Sequence, residues 1–161
     1  MTAYVAVSGP ADASDEEASI AEEVGRRLAE RGAVLVCGGL GGVMDAAARG
    51  ARAAGGLAIG ILPGESRRGS SPHLAAAIPT GMGEGRNALL VRAADAVIAI
   101  SGEFGTLSEI ALALKMGKPV VGLQTWELRK PDRTADAVIR AASAEEAVEL
   151  ALEAAGGREP A

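Results

Sequence analysis

Three glycine-rich turns carry the residues best suited to binding a charged ligand. They are Ser8-Gly9, the run 38–42 and the segment 101–106, and each directly follows a short apolar stretch. Glycine allows backbone amides to approach an oxyanion closely, and a helix that begins after such a turn adds unpaired N–H groups and a partial positive charge. Glycines in these positions can also serve only to reverse the chain. Two dense glycine turns in one small chain favour a phosphate site over that structural role.

Two charged residues, Arg86 and Glu109, lie beside these turns. Glu109 follows the turn at 101–106, where a carboxylate could orient a ribose hydroxyl or act as an acid or base. It could equally close a capping box with Thr106 and satisfy only backbone N–H groups. Arg86 begins a predicted helix, where a cation is unfavourable for the helix dipole unless an anion lies nearby. An ordinary surface arginine is the alternative for Arg86.

The sequence lacks the residues that a dinucleotide site, an ATP-binding loop or a metal site would need. Met44 stands where the dinucleotide-binding fingerprint has its third glycine, and the G-K-[ST] sequence of ATP-binding loops does not occur. The single histidine, His73, has no cysteine or histidine near it, so no metal site is predicted. Cys37 ends an apolar strand and is interpreted as a small buried filler. We therefore expect no NAD, no ATP hydrolysis and no metal.

Charge balance and aromatic content limit the possible partners. The 161 residues carry a formal charge of −5 and include one Trp, one Tyr and one Phe. They offer neither the clustered cations that a nucleic-acid backbone needs nor a base-stacking platform. No signal peptide is recognisable at the N-terminus, and no apolar stretch approaches the ~20 residues of a membrane span. We expect a cytoplasmic protein that binds neither nucleic acid nor membranes.

Short apolar strands alternate with helical segments along the chain. Strands are predicted at 3–8, 33–37, 57–62, 75–79, 96–100, 120–123 and 137–141. Helices are predicted at 43–54, 85–93 and 106–116, and after the capping boxes Ser14/Glu17 and Ser143/Glu146. This order indicates one Rossmann-like α/β domain over residues 1–155, with a doubly wound, mostly parallel sheet, helices on both faces and a frayed tail at 156–161. Ligands bind such sheets outside the carboxyl ends of the strands, and the polar loop 65–73 is expected to form a lid or binding edge.

The segment 102–109, GEFGTLSE, resembles the PGGxGTxxE motif of the Lonely Guy family. Members of that family are phosphoribohydrolases that are often mislabelled as lysine decarboxylases. The run GGLGGVM at 38–44 is similar to their second motif, and Arg86 matches their catalytic arginine. The stretch 78–121 looks closer to a sister group that contains the molybdenum cofactor carrier proteins. Three residues depart from the enzymes' pattern, namely Ser101 for proline, Glu103 for the second glycine and Asn87 for lysine.

The resemblance implies two alternative functions. In the leading one, the protein binds or carries a phosphorylated nucleotide- or pterin-like cofactor, either the molybdenum cofactor or a nucleotide monophosphate. In the other, it is an N-glycosidase that releases free base and ribose 5-phosphate from a nucleoside 5′-monophosphate, with Arg86 and Glu109 as the catalytic pair. No catalytic cofactor is required, and PLP is not expected because no lysine lies at a predicted ligand turn. The small-residue helices and the resemblance favour a homo-oligomer, a dimer or a tetramer. The predicted ligand contacts are Ser8, Gly9, Gly38, Gly39, Gly41, Gly42, Met44, Arg86, Asn87, Gly102, Glu103, Phe104, Gly105, Thr106 and Glu109.

Overall fold

A computed structural model describes residues 1–133 and 135–157 of the chain. The strands in this part are β1 Tyr4–Ser8, β2 Val34–Cys37, β3 Ala58–Leu62, β4 Ala76–Pro79, β5 Ala96–Ile100, β6 Val120–Leu123 and β7 Ile139–Arg140. They form one sheet in the order β4-β3-β2-β1-β5-β6-β7, and every neighbouring pair is parallel. The order reverses between β1 and β5, which confirms the doubly wound, Rossmann-like α/β fold.

Helices cover both faces of the sheet. Those of the described residues are α1 Asp15–Glu30, α2 Val43–Ala53, α3 Arg86–Ala93, α4 Phe104–Lys115 and α5 Ala144–Gly156, with a short 3-10 turn at Gly83–Gly85. Side chains alternate along each strand, so Val5 and Val7 pack with α1, α2 and α5, whereas Ala6 packs with α3 and α4. Each strand of the sheet centre is therefore buried on both faces, as its continuous apolar sequence predicts.

The helices α1 and α5 begin at the predicted caps. The Ser14 hydroxyl accepts the Glu17 N–H at 3.1 Å, and the Glu17 carboxylate accepts the Ser14 N–H at 2.8 Å. At α5 the Ser143 hydroxyl accepts the Glu146 N–H at 3.1 Å, while the Glu146 carboxylate accepts the N–H of Ala142, one residue earlier than in a full capping box. The first of the two boxes is thus complete and the second is half formed.

Helix α4 begins two residues before the predicted start at Thr106. Its first residue is Phe104 and its N-cap is Glu103, because the backbone has already turned at Gly102, where φ is 104°. Thr106 consequently lies inside the first turn and cannot serve as an N-cap residue. The capping box between Thr106 and Glu109, one of the two alternatives open from the sequence, is wrong.

The polar loop 65–73 is held against the neighbouring turn. The Ser71 N–H donates to the Gly39 carbonyl at 2.9 Å, and the Ser71 hydroxyl donates to the Asp45 carboxylate at 2.6 Å. These two bonds fix the loop to the turn before α2 and to α2 itself.

The C-terminal end of the chain is described as far as residue 157. Helix α5 ends at Gly156, and most of the tail expected at 156–161 lies outside the described residues. No helix within residues 1–133 and 135–157 is long and apolar enough to cross a membrane.

Candidate ligand-binding cleft

A cleft of about 660 Å³ opens at the carboxyl edge of the sheet. It lies where β1 and β5 meet, which is the position at which ligands enter doubly wound sheets. Its volume falls within the range of small-molecule and cofactor sites. The sequence-predicted residues that line it are Ser8, Gly9, Gly38, Met44, Arg86, Asn87, Glu103, Gly105, Thr106 and Glu109. The fold thus brings together parts of all three glycine turns and the beginning of α3.

Ser8 and Glu109 connect two elements at the floor of the cleft. Ser8 ends β1, Glu109 lies in the second turn of α4, and the Ser8 hydroxyl donates to Oε2 of Glu109. Only 3% of Ser8 and 8% of Glu109 is exposed. Burial raises the pKa of the Glu109 carboxyl, while the hydrogen bond from Ser8 and the positive charge of Arg86 act in the opposite direction. This carboxyl therefore lines the cleft and is bonded to Ser8, not to the N-terminus of its own helix.

Arg86 lies at the centre of the cleft with part of its guanidinium buried. A Cβ added to Gly38 would lie 2.3 Å from Nη1 of Arg86 and 2.5 Å from Sδ of Met44, so any larger residue there would displace the ends of these two side chains. Nε and Nη1 of Arg86 are buried and have no hydrogen-bond partner among residues 1–133 and 135–157. Buried donors without an acceptor are costly, and an ordinary surface arginine would leave them in water. The structure therefore excludes the surface alternative for Arg86.

The N-terminus of α4 forms one end of the cleft. Its N-cap residue, Glu103, makes no side-chain hydrogen bond to the helix, so this residue leaves the amides of the first turn uncapped. Gly105 and Thr106 of that turn line the cleft, and Thr106 is 4% exposed. Unpaired amides and the positive end of the helix dipole make this end suited to an anion.

Asn87 connects α3 to the first turn of α4. Its Nδ2 donates to the Ser108 hydroxyl at 3.0 Å, and that hydroxyl donates to the Gly105 carbonyl at 2.8 Å. Asn87 is 8% exposed and also lines the cleft. One N–H of its amide is therefore engaged in holding the two helices together, while the second N–H and the carbonyl oxygen are left for a ligand.

Some predicted contacts lie outside the cleft lining, namely Gly39, Gly41, Gly42, Gly102 and Phe104. A Cβ on Gly39 would lie 2.6 Å from Leu62, and one on Gly42 would lie 2.2 Å from the Pro10 carbonyl oxygen, so both glycines permit close chain packing. The Val43 N–H donates to that same carbonyl at 3.0 Å, so the first amide of α2 is engaged within the protein. Of the run 38–42, only Gly38 faces the cleft.

Phe104 points away from the cleft although it lies within the turn. Its side chain is 75% exposed, and its ring packs against Trp126 with 5.7 Å between the centroids. The sequence places Phe104 between two lining residues, but the direction of its side chain depends on the start of α4, which the sequence predicts two residues too late.

Several lining residues are absent from the predicted ligand contacts, although one of them, Ser101, lies in the predicted turn 101–106. They are Val7, Pro10, Ala11, Asp12, Glu17, Pro63, Gly83, Glu84 and Ser101. Asp12 and Glu17 follow the Ser8-Gly9 turn closely in the sequence. This proximity could have been used to predict them as residues of the site. Glu84 lies two residues before Arg86, whereas Pro63 comes from a segment that the strand order brings to the site.

Hydrogen bonds stabilise the ionised form of Glu17 at this edge. A side-chain hydrogen bond with Ser101 contributes most to lowering the pKa of Glu17, and the bonds with Ser14 add to it. Cys37, below the cleft, is fully buried, and burial raises the pKa of its thiol to about 11. A thiol with that pKa is inert at neutral pH, as expected of a filler. Among the described residues, no group of three or more His, Cys, Asp or Glu side chains is placed to hold a metal ion.

Comparison with known proteins identifies the family. The profile of the SLOG cluster4 family matches residues 2–151. The chain belongs to this family. The match confirms the resemblance to the Lonely Guy-like superfamily that the motifs at 38–44 and 102–109 indicate.

Solved structures refine this placement. The molybdenum cofactor binding protein of Rippkaea orientalis is 38% identical, with a TM-score of 0.87 and coverage of 95% of this chain and 97% of that one. The molybdenum cofactor carrier protein of Chlamydomonas reinhardtii is 33% identical, with a TM-score of 0.84 and coverage of 97% and 99%. An uncharacterised protein of Archaeoglobus fulgidus is 44% identical over 120 residues, which cover 74% of this chain and 79% of the relative. The two solved relatives agree with the expected similarity to the carrier group.

Proposed function

We propose that the protein binds or carries a phosphorylated nucleotide- or pterin-like cofactor, with the molybdenum cofactor as the leading candidate. The observation that carries the proposal is the pair of buried, unpaired N–H groups of Arg86 in the cleft. Each such donor costs roughly 1–3 kcal/mol without an acceptor, so the site is complete only with an anionic or acceptor-rich ligand. The names of the solved relatives, a molybdenum cofactor binding protein and a molybdenum cofactor carrier protein, support the same ligand class.

Each region of the cleft matches one part of such a ligand. The unpaired amides at the start of α4 and the Thr106 hydroxyl suit a phosphate group. A rotation of the flexible Arg86 side chain brings its free donors onto a neighbouring oxygen, with a charge-assisted bond. Gly38 and Met44 supply an apolar wall for a ring. Binding and release of such a cofactor need no reaction at the protein.

A second function, hydrolysis of a nucleoside 5′-monophosphate, is favoured by one specific observation. Glu109 is a buried carboxyl with a raised pKa, held by Ser8 and close enough to feel the charge of Arg86. A carboxyl whose pKa is raised in this way holds its proton more readily than an ordinary glutamate and can donate it to a leaving group. In such a reaction the N-glycosidic bond breaks, water adds its oxygen to C1′ of the ribose, and the base leaves with a proton. Release of free adenine from AMP, followed by chromatography, detects this activity.

The test of the proposed function is a melting-temperature series with phosphorylated ligands. A ligand that binds only the native state stabilises it by ~2.7 kcal/mol at ~100 times its Kd. We expect GMP, a pterin phosphate or the molybdenum cofactor to raise the melting temperature of the wild type. Arg86→Ala should weaken that binding by about 1.5–3 kcal/mol, because it removes charge-assisted contacts.

Arg92→Ala is the matched control for this test. Arg92 lies on the same helix α3, is exposed and does not line the cleft, so its loss should leave the ligand-induced shift unchanged. Absence of any shift in the wild type at millimolar concentration would remove the proposal. Rapid release of adenine from AMP by the wild type would replace it with the hydrolase function.

A further inference from the structure

The cleft is acidic, although the proposed ligand carries a phosphate. Its acidic residues are Asp12, Glu17, Glu84, Glu103 and Glu109, and Arg86 is the basic residue among those that line it. A ligand that was anionic throughout would be repelled by this surface. Carboxylates only accept hydrogen bonds, so the parts of the ligand away from Arg86 must present donors. This argument rests on the proposed function, and the unpaired N–H groups of Arg86 independently point to a ligand anion.

Two of these carboxylates already have protein partners. Glu17 accepts the Ser14 N–H, and Glu109 accepts the Ser8 hydroxyl. Asp12, Glu84 and Glu103 are exposed, and none of them accepts a hydrogen bond within the described part of the chain. All three are therefore free to contact a ligand, but they belong to different segments. Asp12 follows β1 in the middle of the sheet, whereas Glu103 follows β5 and Glu84 precedes α3.

The strand order fixes the positions of the two ends. Glu103 is the N-cap of α4, which follows β5, whereas Glu84 lines the cleft together with Pro63, which follows β3. Three strand spacings separate β5 from β3, which is roughly 14 Å at about 4.8 Å per spacing. That separation is comparable with the length of a mononucleotide from its phosphate to the outer edge of its base. A phosphate at α4 thus leaves the ring edge near Glu84.

Glu84 is the only residue of its 3-10 turn that has a side chain. Glu84 lies in the 3-10 turn Gly83–Gly85 between two glycines, and this turn leads directly into Arg86. The only side chain of the turn is thus the one that lines the cleft. A carboxylate has two oxygens that can accept two adjacent donors side by side.

We propose that Glu84 selects a ligand ring with two adjacent hydrogen-bond donors, the 2-amino-4-oxopyrimidine edge that guanine and pterin share. In that edge a ring N–H and an exocyclic amino group point the same way and match the two carboxylate oxygens. Adenine presents a ring nitrogen acceptor there, which the carboxylate repels. Hypoxanthine keeps the ring N–H but lacks the amino group, and should bind with intermediate affinity.

Calorimetric titration of the wild type with GMP, IMP, AMP and 6-hydroxymethylpterin phosphate tests the proposal. We expect GMP to bind at least about tenfold more tightly than AMP, a difference of 1.4 kcal/mol, with IMP between them. Glu84→Gln should reduce the ratio of GMP to AMP affinity to about threefold or less, because an amide offers one acceptor in place of two. If GMP binds more tightly than the pterin phosphate, the preferred ring is guanine. If the pterin phosphate binds more tightly, the preferred ring is a pterin.

Glu103→Gln is the matched control, because it removes the same charge at the phosphate end. We expect it to tighten binding of all three nucleotides by a similar factor and to leave the ratio of GMP to AMP unchanged. Equal affinities of the wild type for GMP and AMP, or an unchanged ratio in Glu84→Gln, would overturn the inference while the proposed function stands. Failure of every ligand to bind would remove both.

Discussion

At the level of single residues, Glu109 combines burial with a hydrogen bond and a nearby positive charge. Burial has the largest effect and raises its pKa above the ordinary value, although Ser8 and Arg86 oppose it. A carboxyl with a raised pKa binds its proton more tightly in the native state than in the unfolded state. Between the two pKa values the native protein holds more protons, so its free energy of unfolding falls as the pH rises.

We therefore predict a pH-dependent effect of Glu109→Gln. The amide keeps the shape and the acceptor for Ser8 but cannot ionise, so it removes the cost of a buried charge above the raised pKa. The free energy of unfolding of the variant minus that of the wild type should increase from about pH 4 to about pH 8, as urea titrations at several pH values can measure. Glu153→Gln, at an exposed position of α5, should give a difference that does not change with pH. A flat profile for Glu109→Gln would contradict this account of the site.

Residue types and spacing predict Arg86 and Glu109 as neighbours of the phosphate turn, and the structure brings them into one cleft. The role of Glu109 stays open from sequence because a glutamate three residues after Thr106 fits a capping box equally well. The choice depends on the backbone turn at Gly102, which sets the start of α4. Glu84 is not among the predicted contacts although it lies two residues before Arg86, because its proximity to the segment after β3 depends on the strand order.

At the level of elements, α1 and α2 pack closely enough to need glycine at their crossing. A Cβ on Gly25 would lie 1.9 Å from the Ala47 carbonyl oxygen, and one on Gly50 would lie 1.9 Å from the Glu22 carbonyl oxygen. Both obstacles are backbone atoms, which cannot turn aside as a side chain can. The small residues of α2 allow this approach and so set the position of the turn that precedes it.

This packing predicts that Gly25→Ala destabilises the protein although alanine is the better helix former. Helix propensity alone would stabilise the variant by about 1 kcal/mol, but the two helices must separate to accommodate the new methyl group. We expect a net loss of about 1–3 kcal/mol in the free energy of unfolding, measured by urea denaturation. Gly156→Ala, where nothing lies within 4 Å of an added Cβ, should be neutral or slightly stabilising. Stabilisation by Gly25→Ala would show that the helices are not in such close contact.

Every predicted strand and helix is present, with bounds that agree within two residues. Apolar runs, glycine stops and capping boxes are local signals, so they specify elements well. They also predict Gly39 and Gly42 as ligand contacts, whereas the structure uses these residues to pack against Leu62 and Pro10. Glycine permits the close approach of a ligand and of a neighbouring chain segment equally well. The sequence does not show which of the two approaches.

At the level of the whole molecule, the reversal of strand order between β1 and β5 creates the cleft. Apolar strands alternating with helices predict a parallel sheet, but they do not predict which strands are neighbours. The sequence therefore does not show that Glu84 and Pro63 line the same cleft. The match of the family profile to residues 2–151 and the two solved relatives named for the molybdenum cofactor support the carrier function. The homo-oligomer and the cytoplasmic location expected from the sequence stay predictions.

The most direct test of the central claim is a crystal structure of the wild type soaked with a saturating nucleoside 5′-monophosphate, with GMP and AMP in separate crystals. The account predicts an intact nucleotide in the cleft, its phosphate within hydrogen-bonding distance of the first-turn amides of α4 and of Thr106, with Arg86 bonded to the ligand. An empty cleft whose amides are bonded within the protein, or ribose 5-phosphate without its base, would contradict it.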